Sequence, residues 1–413
     1  MVDFTSLPRA QEHGDYDVVI AGVRDAMSTN PAAAMADPFI RDWIGRRFRN
    51  IFIDEASASA EVVAKAQKPA PLSWVDRRDD RQKIADRFFR TIDAGEVHTE
   101  MPAAESGAFS DVSLLICPGL LTGFMPGLAF QQEIPKMTER FGVNILSADS
   151  HPVRSCEANV ADLTNAMVNG IGNAPDLHAT LLTSTDDPVP PGDVVMLGYS
   201  KGGPDINTFL VARPDLAHRV KAIISWAGAH GGSYLANDLY NRFKKVPDSE
   251  MVKHRAANAA ELVRRMLPFA DVKRIDRRLD EYDVKGALYS LSTGGRDEWN
   301  EANTAALDEL AIPTIYFTGA TTAREVTYFN LEGELELDKY DVNNDMQLTQ
   351  AEATPPTRNS VHAAMFHATH WDLSYDPWPW YETAGSRELH EPFPRYAALA
   401  SILLLLSELG IMR

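Results

Sequence analysis

The stretch Val194-Val195-Met196-Leu197-Gly198-Tyr199-Ser200-Lys201-Gly202-Gly203-Pro204 decides the fold. An apolar run of strand length meets a Gly-x-Ser-x-Gly turn, and the segment after the turn starts like a helix. Small residues two before and two after the serine let the chain double back sharply, so that its hydroxyl stands exposed at the tip of a strand-to-helix elbow. A serine hydroxyl is a weak nucleophile until it is exposed, held and paired with a base. The elbow supplies the first two conditions, and the helix N-terminus behind it aims backbone N–H groups at developing negative charge. Ser200 is therefore the candidate nucleophile.

Similar apolar runs flank this elbow at Val112 to Cys117, Val143 to Ser147, Val220 to Trp226 and Pro313 to Phe317, with longer helix-like segments between them. Short buried runs alternating with helices predict an α/β architecture, a mostly parallel sheet flanked by helices. Ligands in such sheets bind beyond the carboxyl ends of the strands, where the turns Pro118-Gly119 and Gly198-Tyr199-Ser200 fall.

Residues 1–110 read instead as a helical N-terminal extension to a domain spanning 111–413. Asp37 to Phe48 and Asp76 to Ile92 carry apolar residues at helical spacing, and Lys68-Pro69-Ala70-Pro71 between them reads as a loop. About 85 residues separate Trp226 from Ile312, more than one crossover helix needs, so an insertion is expected. It is placed at about 235–285 as a helical lid or cap over the site. Leu262, Met266 and Phe269 would face inward, and Lys244, Lys245, Arg264 and Arg265 would stay in water. A second, acidic insertion is expected at about 320–355. Within it, Leu331 to Leu337 alternates like a strand.

With 40 basic and 58 acidic residues, the net charge of −18 speaks against a nucleic-acid partner. Two cysteines, Cys117 and Cys156, do not make a disulfide scaffold, and Cys117 in its apolar run reads as a buried thiol. The longest apolar stretch, Ala397 to Leu406, falls well short of the ~20 residues of a membrane span and reads as a buried terminal helix. The start, Met1 to Ser6, has no basic flank leading into an apolar run, so a cytoplasmic location is expected. Oligomeric state is left open.

Leu114 to Gly123 leads another apolar run into a glycine turn. Beside a nucleophile elbow, the second oxyanion-binding N–H comes from such a loop, so the backbone N–H groups of Leu120 and Lys201 are the expected donors. Four segments then follow in order: Gly198 to Pro204; Arg213-Pro214-Asp215-Leu216; Ala229-His230-Gly231-Gly232-Ser233; and Leu288 to Thr293 with Trp299-Asn300. Together they resemble the bacterial triacylglycerol lipases of the α/β-hydrolase superfamily, which carry a lid and a structural calcium. The resemblance runs from about residue 112 to 375. Lys201 and Pro118 stand where that family usually has histidine. The resemblance implies an α/β-hydrolase fold and a triad in the order serine, acid, histidine. It also implies a small-molecule or lipid-like ester substrate, no cofactor for the chemistry, and a calcium with Asp372 among its ligands.

The base should lie late in the chain, where His362, His367, His370 and His390 follow the last apolar run. His370, in Ala368-Thr369-His370-Trp371-Asp372, resembles the family's catalytic histidine; His367 is the alternative. The acid lies less openly, because no aspartate directly follows Thr314 to Gly319. Asp345, in Asn344-Asp345-Met346, resembles the family's acid turn and stands 25 residues before His370; Asp341 and Glu325 are the alternatives.

A rival reading claims the same loop. Asp341 to Glu352 has oxygen-bearing Asp341, Asn343, Asp345, Thr349 and Glu352 at the ligand positions of an EF-hand, with Met346 in place of the usual glycine. A carboxylate directing calcium is badly placed to hold a histidine, so the two readings of Asp345 conflict. A carboxylic-ester hydrolase is the leading expectation. A thioesterase, acyltransferase or polyester depolymerase would use the same residues, and a calcium-responsive binding protein on a decayed scaffold is the reading from another class.

Overall fold

The computed structural model describes residues 6–67, 75–105, 107–122, 129–173, 188–266, 278–375 and 393–412. One sheet holds β1 (Val112–Cys117), β2 (Ile145–Ala148), β3 (Gly172–Asn173), β4 (Asp193–Tyr199), β5 (Val220–Trp226), β6 (Thr314–Ala320) and β7 (Ser360–His367). Their spatial order is β3-β2-β1-β4-β5-β6-β7. Short β3 is antiparallel to β2, and the other pairs are parallel. The chain steps from β1 outward to β2, then returns to place β4 on the other side of β1. This reversal is the point where open α/β sheets form a crevice for ligands, and the turns after β1 and β4 sit side by side there. Register pairs Cys117, the last residue of β1, with Gly198, two residues before Ser200.

Every residue of β1 is buried, as is β4 after its first. That explains why both read as continuous apolar runs rather than alternating ones. Alternate side chains serve opposite layers. Leu115, Cys117, Val194 and Met196 pack with Ile206 and Phe209 of the helix Gly202–Ala212 and Leu163 of the helix Cys156–Asn169. Leu114, Ile116, Val195 and Leu197 belong to the larger apolar cluster on the other face.

The N-terminal helices build into that second layer. Pro38–Ser57 starts on an Asp37 cap, whose carboxylate accepts from the N–H groups of Phe39 and Ile40, with proline at the first helical position. Its Phe48 ring meets Phe317 of β6 at 4.5 Å, and Phe52 meets Phe366 of β7 at 5.3 Å. Arg47 of the same helix is fully buried and donates to Glu408 of the helix Arg395–Glu408. That last helix contains the Ala397 to Leu406 stretch, buried as expected. Among the described residues, no helix is long and apolar enough to cross a membrane.

The insertion after β5 forms helices Tyr234–Phe243, Asp248–Lys253, Arg255–Met266 and Val284–Tyr289. Two expectations need correction, and one strand lies beyond them. The run at 143–147 becomes a strand only from Ile145. Leu331–Leu337 is a helix, with Leu331 and Leu335 one turn apart, rather than a strand. The strand β7 was not anticipated, and it places His362 and His367 inside the sheet. Phe269, His390 and the Lys68 to Pro71 loop lie outside the described residues.

Candidate active site

Ser200 sits between β4 and the helix Gly202–Ala212 with φ of 54°, a left-handed conformation that L-residues other than glycine rarely hold. Its N–H donates to the Trp226 carbonyl at 3.3 Å, and its own carbonyl accepts from Gly203 at 3.1 Å and Ala229 at 2.9 Å. Neighbouring packing explains the glycines. A Cβ at Gly202 would stand 2.0 Å from the Cys117 carbonyl oxygen, and one at Gly119 would stand 2.8 Å from Ser200 Cβ. The two turns are therefore pressed together, with Ser200 between them. Strain of this kind persists where the surrounding structure over-determines it, and it clusters at reactive sites.

His370 lies in the turn after β7, and Asp345 in the acidic insertion after β6. His370 Nδ1 is 2.7 Å from Asp345 Oδ2, and each residue is 1% exposed. The other carboxylate oxygen accepts from Leu348 N–H at 2.7 Å and Gln347 N–H at 3.0 Å. Ser200 and His370 both line one cavity of about 400 Å³, together with Leu120. The structure thus gathers Ser200, His370, Asp345 and Leu120 around the carboxyl ends of β1 and β4.

Around this set, several side chains that the sequence did not single out hold the histidine turn. Tyr199 Oη donates to the His370 carbonyl at 2.9 Å, and its ring lies 5.0 Å from the imidazole. Burial first, then Tyr375 and Asp345, push the Tyr199 phenol well above its ordinary value, so it stays a donor. Trp226 Nε1 donates to the Leu373 carbonyl at 3.0 Å. Position in the elbow motif is the only sequence signal for Tyr199; Trp226 carried none beyond ending a strand.

Both expected oxyanion donors border the elbow. Neither the Leu120 nor the Lys201 backbone N–H donates to another backbone group among the described residues. In the turn after Pro118, Leu121 takes a left-handed φ of 62°, and Thr122 Oγ1 donates to the Gly119 carbonyl at 2.9 Å. The Lys201 side chain points away into the protein, its Nζ 2.6 Å from Asp205 Oδ1.

The alternative candidates pair with one another instead: His367 Nε2 is 2.6 Å from Glu325 Oε1. Neither residue lines the cavity. His362 is engaged with Thr318 at 3.0 Å, and burial pulls its imidazole down to about 4. Two further histidines are interior. His230 is held by Ser225 at 2.7 Å and Asn207 at 3.1 Å, and burial followed by Arg296 pulls it down to about 3. Burial, with Arg278 and Arg154, does the same to His151.

The oxygen-bearing side chains of the Asp341 to Glu352 loop are engaged with protein partners. Asp345 Oδ2 is committed to His370. Asp341 accepts from Asn343 N–H at 2.9 Å and Gln350 N–H at 3.0 Å, and Asn343 Oδ1 accepts from Arg90 at 3.2 Å. Thr349 and Glu352 form a capping box at the start of the helix Gln350–Ala353. Met346 takes the turn at φ of 70°. Asp372 is instead pushed up to about 6 by burial, against hydrogen bonding from Thr369. Among the described residues, no group of three or more His, Cys, Asp or Glu is arranged to hold a metal ion.

The walls of the cavity mix apolar residues with polar ones, Asp238, Asn330, Glu332, Glu336 and Gln347 among the latter. Leu235, Ala236 and Leu239 come from one helix of the insertion after β5, Met266 from another, and Leu288 and Leu291 from its return. Leu262 is fully buried in the main core rather than facing the cavity. Lys244, Lys245, Arg264 and Arg265 are exposed, as expected, with Arg265 at the cavity's edge.

No protein-family model matches the chain, and no curated protein matches it in sequence. Among solved structures, a metagenomic carboxyl esterase is similar over 88% of this chain and 92% of its own, with a TM-score of 0.60 and 20% identity. A Staphylococcus hyicus lipase covers 74% of this chain and 99% of its own at a TM-score of 0.46 and 12% identity. The mature form of a Bacillus licheniformis lipase covers 65% and 89%, at 0.41 and 15%. Strand order, the left-handed serine elbow at the sheet's reversal point, and the likeness to the metagenomic esterase make this an α/β-hydrolase fold.

Proposed function

We propose that the protein is a serine hydrolase of carboxylic esters, working through an acyl-enzyme on Ser200. The observation that carries this reading is the 2.7 Å contact between His370 Nδ1 and Asp345 Oδ2 beside a cavity that Ser200 and His370 both line. An ionised carboxylate only accepts, so it fixes the proton on Nδ1 and leaves Nε2 free to act as base. Ser200 Oγ attacks the ester carbonyl as His370 Nε2 takes its proton. The carbonyl oxygen, now an anion, is met by the N–H groups of Leu120 and Lys201. Collapse expels the alcohol, which takes the proton back from His370. Water then repeats the sequence on the acyl-enzyme and frees the acid.

Asp345 stabilises the charged imidazole at each transfer without itself taking the proton. The apolar part of the wall, Leu235, Leu239, Met266 and Leu288, supports an aliphatic acyl portion, each buried methylene contributing ~0.8 kcal/mol. The test is labelling by a fluorophosphonate together with hydrolysis of a chain-length series of nitrophenyl esters. Labelling lost in Ser200→Ala and retained elsewhere supports the reading; a wild-type protein inert to both sinks it.

A further inference from the structure

Lys201 is an unusual neighbour for the elbow. Its side chain is fully buried, yet burial's pressure against its charge is overridden by Asp205, which holds the ammonium above its ordinary value. The second oxygen of Asp205 accepts from Asn159 Nδ2 at 2.9 Å. Asn159 Oδ1 accepts from Arg154 Nε at 2.8 Å, and Arg154 donates to Asp162 Oδ2 at 2.6 Å. Asp162 Oδ1 accepts from Arg278 at 2.9 Å, and Arg278 Nε donates to Glu281 at 2.8 Å. Arg278 stands where the insertion after β5 returns to the sheet, and it also donates to the Asp149 carbonyl at 2.9 Å. An unbroken polar chain thus runs from the residue after Ser200 to the base of the cap.

Stability alone does not call for this chain. Apolar residues of the same volume usually fill a core as well as a buried ion pair, or better. The helix Gly202–Ala212 supplies such residues elsewhere, with Ile206, Phe209 and Leu210 buried. A polar network with its members satisfied does something else: it rigidifies and fixes one arrangement. What it fixes here is Lys201, whose backbone N–H borders the reacting serine. Resting on the ester-hydrolase reading above, we propose that Lys201, Asp205 and Asn159 are positioning residues for the oxyanion amide. Through Arg154 and Asp162, Arg278 couples the seating of the cap to that amide's alignment.

Asn159→Ala cuts the chain in the middle and leaves the Lys201–Asp205 and Arg154–Asp162 pairs in place. Arg154→Met cuts it on the cap side, because Arg154 reaches the insertion both through Asp162 and Arg278 and directly through its pair with Glu281. Active sites are first counted by fluorophosphonate titration, and kcat and KM are then measured per active site on a short nitrophenyl ester. Each single variant should lower kcat by about tenfold with KM held within about twofold, and the double variant should lose no more than the worse single. Affinity for a boronic acid mimic of the tetrahedral intermediate should fall in parallel, which a loss of stability alone would not cause. Should Asn159→Ala misfold, Asn159→Ser makes the same cut with a smaller change. Unaltered kcat per active site, or losses that multiply in the double variant, would overturn the coupling. A wild-type protein that fails to react with the probe overturns the ester-hydrolase reading instead.

Discussion

His370 and Asp345 are tied twice: the imidazole meets the carboxylate at 2.7 Å, and the His370 N–H donates to the Asp345 carbonyl at 2.9 Å. The acidic insertion therefore fixes both the ring and the chain that carries it. Asp345→Asn removes the charge while keeping the main-chain tie. Turnover of a nitrophenyl ester should fall by about 10⁴-fold with little change in melting temperature, because the amide no longer enforces the tautomer with Nε2 free. A loss smaller than about tenfold would remove Asp345 from this role.

Ser200 pays for its exposure with a left-handed backbone. Ser200→Ala should abolish turnover, by a factor on the order of 10⁶, and remove fluorophosphonate labelling. Ser200→Gly should be equally inactive but more stable, by up to about 1 kcal/mol, since glycine carries no Cβ penalty at positive φ. Thermal melts of the two variants compare directly. A glycine variant less stable than the alanine variant would show that the elbow carries no strain.

Much of this site was legible because each part has a local cause. Ser200 announced itself through small neighbours, and β1 and β5 through runs rich in β-branched and apolar residues whose bounds match the structure. Strand β7 did not, because Ser360-Val361-His362-Ala363-Ala364-Met365-Phe366-His367 mixes histidines into half-buried positions. Leu331–Leu337 alternates in sequence, yet folds as a helix with Glu334 buried. Arg47 looks like a solvated charge until Glu408, 361 residues away, meets it in the core. Such partners follow from topology, which spacing along the chain does not encode.

The Arg47–Glu408 pair gives the N-terminal helices a measurable role. Arg47 is 0% exposed and also donates to Asn50 at 3.2 Å and the Pro102 carbonyl at 2.8 Å. Arg47→Ala leaves Glu408 buried without its cation and should cost about 3–5 kcal/mol. Arg47→Met with Glu408→Leu should recover most of that loss. Denaturant unfolding of the single and double variants checks both outcomes, and a double variant as unstable as Arg47→Ala would contradict the account.

Glu334 sets a pH dependence. It is fully buried, and neither carboxylate oxygen has a hydrogen-bond partner among the described residues. Burial first, then Asp338, Asp345 and Glu325, push its carboxyl up to about 8 from an ordinary 4.5. The folded protein keeps this proton after the unfolded chain has lost it. Its contribution to stability is therefore fully present below about 4.5 and is lost as pH rises to about 8. Glu334→Gln should melt above the wild type at pH near 8 and alongside it near 4. Parallel melting curves at both ends would mean that Glu334 does not carry the effect.

The helical insertion after β5 should set acyl-chain preference. Leu239 and Met266 are half-buried on its inner side, and both line the cavity beside Ser200. Leu288, fully buried behind them, supports the fold as well as the wall, so substitutions there would mix two effects. Leu239→Trp fills space on the wall without opening a void in the core. Displacing two methylenes of a long acyl chain from that wall should cost ~1.6 kcal/mol, about 15-fold in kcat/KM. Acetate esters, too short to reach it, should keep their wild-type values. Met266→Ala should act in the opposite direction, favouring bulkier acyl groups by making room. Both variants should retain melting temperatures near the wild type, because neither side chain is wholly buried. A uniform loss across all chain lengths would mean that this wall supports the fold without contacting the acyl group, leaving the insertion as a fixed cap.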